Sequence, residues 1–324
     1  MLRYVGRRVA GLGLVLLIVL TLVFFMLRAA PGGPAEAYLG MNPTPEKVAE
    51  VEHRLGLDQP IWVQYGTFAG NLLIGDLGRS LFSDRPVIEI IAERLPVTLE
   101  LSLVAFTFWV AVGLLGGALA ARRRDSFLDG CVRVISVVAL SIPSFWLALV
   151  LVVVFGLYIK GVLPSSGWVH FGDDPGENLR SVVLPAFALG LGSAAIIART
   201  LRGSMIETSQ TDYVSFARAM GMAERRILRR ITVRNAIIPT ATVIGLMLGV
   251  FISGTVLVEN VFNIPGIGQT IVGAFRQHDY PLAIACTLIT ATVFLVTNLV
   301  VDLLYFVLNP RIRAGFLNGT ARQR

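Results

Sequence analysis

The residues able to do chemistry are few and scattered. His53, His170 and His278 stand far apart, and none sits in a His-Glu-x-x-His or Cys/His pattern, so no metal site is expected. The two lysines, Lys47 and Lys160, do not follow a Gly-x-x-x-x-Gly stretch. No backbone cradle for nucleotide phosphates is therefore present, and the chain does not hydrolyse a nucleotide by that route. Ser141, Ser144 and Ser253 lie in or near apolar runs, where a hydroxyl more often bonds a neighbouring helix than attacks a substrate. Cys131 and Cys286 are distant, apolar-flanked thiols that give no disulfide framework and suit small packing positions. No enzyme constellation emerges, and no cofactor is expected on this chain.

What stands out is a basic, polar stretch from Asp212 to Pro239, DYVSFARAMGMAERRILRRITVRNAIIP. It is the longest polar interruption in a hydrophobic second half. Ala217, Arg218 and Ala219 favour helix, and Gly221 permits a sharp turn. From Glu224 onward, Ile227, Leu228 and Ile231 fall on one face, with Arg225, Arg226, Arg229 and Arg230 on the others. Such a basic amphipathic helix can lie on anionic headgroups. The sharper reading is a docking helix whose apolar face enters a groove of a partner protein. Pro239 suits the first position of the next helix, since its missing N–H costs nothing there.

The elements holding this stretch are membrane helices. The 324 residues are 55% hydrophobic and 15% charged, with a mean hydropathy of +0.72; a soluble domain carries about 25% charge. The net charge of +7 then reports orientation before nucleic-acid binding. Val9 to Leu27 exceeds the ~7–15 residues of a signal-peptide core and has no clear cleavage site, so a first span is expected there. Arg28 to Leu95 is rich in Pro, Gly and charge, with a helical patch at 46–55, a turn at Gly75-Asp76-Leu77-Gly78 and an amphipathic helix at 87–95. Five more spans are expected near 97–120, 131–158, 182–201, 237–258 and 282–308, each able to cross ~30 Å of hydrocarbon. Pro143 and Pro185 are expected to kink theirs. The expected organisation is 1–27 as cytoplasmic N-terminus and first span, 28–95 as a small extracytoplasmic domain, 96–308 as a five-helix core carrying a cytoplasmic loop at 202–236, and 309–324 as a cytoplasmic tail.

Orientation follows from short loops. Arg3, Arg7 and Arg8, Arg122 to Arg124, the Arg218 to Arg234 cluster, and Arg311 and Arg313 all fall on one side, which the positive-inside bias makes cytoplasmic. Four polar side chains fall inside spans: Glu100, Arg133, Asn298 and Asp302. Such groups are functional candidates because lipid exposure is costly, although for Arg133 and Asp302, both near the inner face, a structural pair or snorkelling to the interface is the stronger reading. Asp302 is expected to face protein. No inverted half-repeat of the secondary-transporter kind is visible.

At this point the stretch resembles the coupling (EAA) loop of ABC-importer permeases, and most closely the B-type subunit of the dipeptide/oligopeptide permease family. The matching residues are Asp212-Tyr213-Val214, Ala217-Arg218-Ala219, Gly221, Glu224-Arg225-Arg226-Ile227, Arg234-Asn235-Ala236 and Pro239. Ser215 and Phe216 depart from the general EAA pattern. Similar segments run through nearly the whole chain: Leu55 to Pro60, Gly75 to Gly78, Arg94 to Glu100, Ser141-Ile142-Pro143-Ser144-Phe145, Glu259 to Gly268, and Asp302 to Arg311. Pro31-Gly32-Gly33-Pro34 lacks the family's usual Asp, and Asn309 stands where Asp is usual.

The resemblance implies an all-α membrane protein of six transmembrane helices with the type I ABC-importer permease fold, in the bacterial inner membrane with both termini cytoplasmic. It implies a non-catalytic subunit translocating di- or oligopeptides delivered by an external substrate-binding protein. The partners would be a homologous second permease and two ATPases, which would hold the ATP and Mg. Nickel, glutathione or sugar cargo is the alternative, and a stand-alone secondary transporter a more distant one. The coupling residues would be Asp212, Tyr213, Ala217, Arg218, Gly221, Glu224, Arg225, Ile227, Leu228, Arg234, Asn235 and Pro239. Pro143, Ser144, Phe262, Pro265 and Gly268 are candidates for the path or its gate.

Overall fold

A computed structural model describes residues 2–28, 39, 44–54 and 56–308. The elements are α1 (Leu2–Arg28), α2 (Pro45–Arg54), α3 (Ile61–Leu73), α4 (Val87–Arg122), α5 (Phe127–Ser141), α6 (Ser144–Val153), α7 (Pro175–Ser209), α8 (Asp212–Ala219), α9 (Glu224–Ile227), α10 (Val233–Phe262), α11 (Ile267–Arg276) and α12 (Tyr280–Leu308). Short π-helical turns extend α6 through Val154–Tyr158 and join α9 to α10 through Leu228–Thr232. The Pro31 to Pro34 segment, Leu55 and everything from Asn309 lie outside the described residues.

Among the described residues, four helices can cross a membrane by length and composition: α4, α7, Glu224–Phe262 as one run, and Tyr280–Val301 of α12. The α5–α6 pair makes a fifth if its 95° bend is a broken span. The apolar part of α1, Ala10–Met26, is shorter. The bend itself follows from Ile142 in extended conformation and Pro143 at ψ 137°, because a residue before proline avoids the helical region.

Three expected boundaries are corrected. The segments 87–95 and 97–120 are one helix, α4, with Pro96 inside it; Val87, Ile90 and Ile91 are buried, and that packing holds the turn upstream of the proline. Pro239 does not open α10 but lies inside it, six residues after Val233. Segment 131–158 is two helices, not one kinked rod. Pro185, by contrast, lies within the uninterrupted α7.

Residues group into two compact units. The first comprises 1–100 and 263–295. Its core gathers Leu20 of α1, Val87, Ile90 and Ile91 of α4, and Ala283, Ile284, Cys286 and Leu288 of α12. Phe24 of α1 meets the Tyr65 ring edge-on at 5.2 Å, and the Thr21 and Tyr65 hydroxyls bond at 2.8 Å. Gly75 and Gly78 take positive φ around the turn, and Asp76 Oδ1 accepts the Gly78 N–H at 2.8 Å. Buried Asp279, just before α12, accepts from the Ser80 hydroxyl at 2.5 Å and the Leu81 N–H at 3.1 Å. It ties the 80–82 loop to the start of that helix.

The second unit comprises 101–262 and 296–324. Helix α7 is its centre, with 72% of its apolar window buried. Asp174 caps its start, accepting from the Gly176 and Glu177 N–H groups, with Pro175 at the first turn. Helices α5, α6 and α10 pack on α7. Against α4 the approach is closer still. A Cβ at Gly117 would stand 2.6 Å from the Ala198 carbonyl oxygen, and one at Gly113 would stand 2.9 Å from that of Ala194. The four-residue spacing of these glycines lets two backbones touch, as small residues do in membrane helix pairs. Trp109 seals the contact by donating its indole N–H to the Ala186 carbonyl at 2.8 Å.

Candidate partner-docking site

Residues 212–235 fold as two short helices bent over a small core. Val214, Ala217 and Ile227 are buried together, with Met222 and Ile231 packed on them. The turn between α8 and α9 is set by Gly221 at φ +74°. The Met222 N–H reaches the Ala217 carbonyl at 3.1 Å, and the Gly221 N–H reaches that of Arg218 at 2.9 Å. These paired bonds close the helix as a Schellman motif, in which the left-handed position favours glycine. Arg218 then spans the turn to Glu224 at 2.7 Å. Both groups are exposed, so this ion pair adds little stability.

The apolar face expected to dock turns out to be internal. Ile227 is 1% exposed, Ile231 packs on the same small core, and Leu228 packs with Val233 against Leu201, Met205 and Ala236. The outward apolar row runs along α8 to the residue that caps it: Tyr213 at 50%, Phe216 at 67% and Met220 at 72% exposure. Their i, i+3, i+7 spacing is that of a helix presenting anchors to a groove. Sequence reading included Tyr213 but missed Phe216 and Met220. The signal was present, since 213, 216 and 220 fall on one face at helical spacing. Asp212, Arg225, Arg234, Asn235 and Pro239 are also exposed. The Asn235 side chain donates back to the Ile231 carbonyl at 2.8 Å.

The site is wired to the helices above it. Leu228 and Val233 join the cluster built on Leu201 and Met205 of α7, with Leu114, Ala118 and Ala121 of α4 at its edge. Further along α7, Arg202 grips Asp129 of α5 with both prongs, Nε to Oδ1 at 2.5 Å and a terminal nitrogen to Oδ2 at 2.8 Å. Asp129 is fully buried and also accepts the Asp125 N–H at 3.1 Å. This pair was missed from the sequence. Arg133, which was singled out, lies 3.8 Å from the same Asp129. Glu100 and Asn298 are half-buried; the Asp302 side chain lies outside those described.

The path candidates separate. Ser144, just after the Pro143 elbow, lines a 340 Å³ cavity with Ser193, Leu147 and Met247. Phe262 is buried, and its carbonyl accepts the Gly167 N–H at 2.8 Å. In the other unit, the Pro265 carbonyl accepts from Arg94 at 3.4 Å, the Ile267 N–H donates to Thr98 at 2.8 Å, and Gly268 is buried. These bonds fix the loop at both 265 and 267.

Known proteins match along the whole chain. The family model described as "Binding-protein-dependent transport system inner membrane component" matches residues 113–314, and the model of the N-terminal part of such components matches residues 1–102. A dipeptide transport system permease protein, DppB of Lactococcus lactis, is 35% identical over 316 residues, covering 97% of this chain and all of that protein. The di/tripeptide transport system permease protein DppB of Pseudomonas aeruginosa is 38% identical over 333 residues, with 97% and 99% covered. The glutathione transport system permease protein GsiC of Escherichia coli O6:H1 is 37% identical over 316 residues, with 97% and 99% covered.

Proposed function

This chain belongs to the family of binding-protein-dependent transport system inner membrane components, and from that membership we propose that it is a peptide-translocating permease subunit of an ABC importer. It spans the bacterial inner membrane six times, α1 and the bent α5–α6 pair each counting once. Both termini and the 202–236 loop face the cytoplasm, and 28–95 faces outward. It pairs with a homologous permease, receives cargo from an external binding protein and draws work from two ATPases that hold ATP and Mg. Peptide cargo is supported by the names of the Lactococcus and Pseudomonas relatives. The Escherichia relative supports glutathione, itself a small peptide, as a second reading.

The observation that carries the coupling role is the exposed row Tyr213, Phe216 and Met220 on a helix whose inner side is locked. A groove in the ATPase takes that row as a knob. When the ATPases close on ATP, α8 moves with them. The small core and the Gly221 turn carry the movement to α9, and the Leu228 contacts carry it to α7 and α10. A change in the tilt of these helices then switches the side to which the path opens.

The test is Phe216→Glu in the assembled importer. A buried aromatic anchor at an interface is worth about 2 kcal/mol or more, roughly thirtyfold. The expected result is weaker retention of the ATPases on purification and loss of ATP hydrolysis stimulated by the loaded binding protein. Unchanged retention together with unchanged stimulation would show that this face does not dock.

A further inference from the structure

Arginines 225, 226, 229 and 230 together with Ala223 line an open depression of about 740 Å³. The residues recur at i, i+4, so two like-charged pairs stack along one side of the segment, an arrangement that is destabilising when uncompensated. Nearby Glu224 is engaged by Arg218. Among the described residues, no hydrogen bond or ion pair joins any of the four guanidinium groups to a carboxylate. A π-helical turn, Leu228–Thr232, carries the last two arginines, and such single turns often mark functional sites.

Depth narrows the partner. Ala236 is the first residue of the apolar run into α10 and is buried. At ~1.5 Å per residue as an upper limit, since the π turn rises less, Arg230 stands at most roughly 9 Å before it and Arg225 at most roughly 17 Å. The headgroup layer is roughly 5–8 Å thick on each side, and an arginine reaches several ångström along its stem. The rim nearest the membrane therefore lies at phosphate depth. A guanidinium fork matches a phosphate oxygen pair. We propose that this arginine basin holds the phosphate headgroup of an anionic phospholipid of the cytoplasmic leaflet, anchoring the root of α10 beside the docking helix. The proposal rests on the orientation given above, but not on the Phe216 contact.

The test compares the assembled importer with its Arg226→Gln, Arg229→Gln, Arg230→Gln triple variant. Both are reconstituted in nanodiscs of mixed dioleoylphosphatidylglycerol and dioleoylphosphatidylcholine, and retained lipid is read by native mass spectrometry. Each basic residue near an anionic surface is worth about 1 kcal/mol, roughly fivefold. Removing three is expected to lower the preference for phosphatidylglycerol by on the order of a hundredfold. The corresponding triple Lys variant keeps the charge and is expected to keep most of the preference, which separates charge loss from misfolding. Equal retention by wild type and the Gln variant overturns the proposal. So does displacement of the lipid by inorganic phosphate, which would mark a free-anion site. Loss of the ATPases with lipid retention unchanged also overturns it, and assigns the basin to an acidic protein surface.

Discussion

Asp129 shows what a single buried charge demands. Its side chain has no exposure, and both oxygens are taken by Arg202, which is itself four-fifths buried. Such a pair is not a large net stabiliser, because desolvating two ions offsets most of their attraction. Breaking it from one side is different. Arg202→Ala leaves the buried carboxylate with only the Asp125 N–H and the more distant Arg133, and the expected loss is about 3 kcal/mol, the low end for breaking a buried pair, measured as a fall in the denaturant midpoint of the purified complex. Adding Asp129→Ala to that variant should restore part of the loss. A double variant no more stable than Arg202→Ala alone would mean that the pair carries no such strain. The partners are 73 residues apart, as Asp279 and Ser80 are 199 apart. Neither separation leaves a trace in local spacing. Asp129 reads locally as an ordinary first-turn acid, which is why attention fell on Arg133 instead.

At the scale of elements, the turn between α8 and α9 was readable because its cause is local. A glycine between two helical patterns means a left-handed residue, and Gly221 is one. No atom stands within 4 Å of the place its Cβ would take. Substitution therefore strains the backbone without a clash, by about 1–2 kcal/mol for an ordinary residue and less for asparagine. Gly221→Ala is expected to lower ATP hydrolysis stimulated by the loaded binding protein severalfold, with Gly221→Asn keeping more of it. If Ala and Asn behave alike, the left-handed turn is not what coupling requires. Pro96, Pro143, Pro185 and Pro239 teach the opposite lesson. Pro143 ends a helix in a 95° bend, yet Pro96, Pro185 and Pro239 sit inside continuous ones. Each loses one backbone bond. Whether the helix then breaks depends on packing to either side, which the sequence around a proline does not state. The same holds for α9. Its apolar face was visible, but amphipathicity alone cannot say whether that face meets a partner or the protein's own Val214 and Leu201.

Across the whole molecule, the 95° bend decides the topology. Hydropathy made 131–158 one span, and composition alone could not distinguish a broken span from a re-entrant loop. If α5 and α6 cross as one span, residues 123 and 210 lie on one side and residue 173 on the other. If they dip in and return, residues 123 and 173 share a side, and the arginines at 122–124 and 225–230 fall on opposite faces, against the positive-inside bias. Arg123, Asp173 and Gln210 are exposed, so each can be replaced singly by cysteine in a background with Cys131 and Cys286 changed to serine. A membrane-impermeant maleimide applied to intact spheroplasts is expected to label Asp173→Cys, with Arg123→Cys and Gln210→Cys labelled only after permeabilisation. Labelling of residues 123 and 173 from the same side would make the elbow re-entrant and reduce the span count by one. It would also place the amino terminus and the Gly221 turn on opposite sides of the membrane. Charge bias at the short loops argues against that arrangement, because it would put one of the two arginine clusters outside.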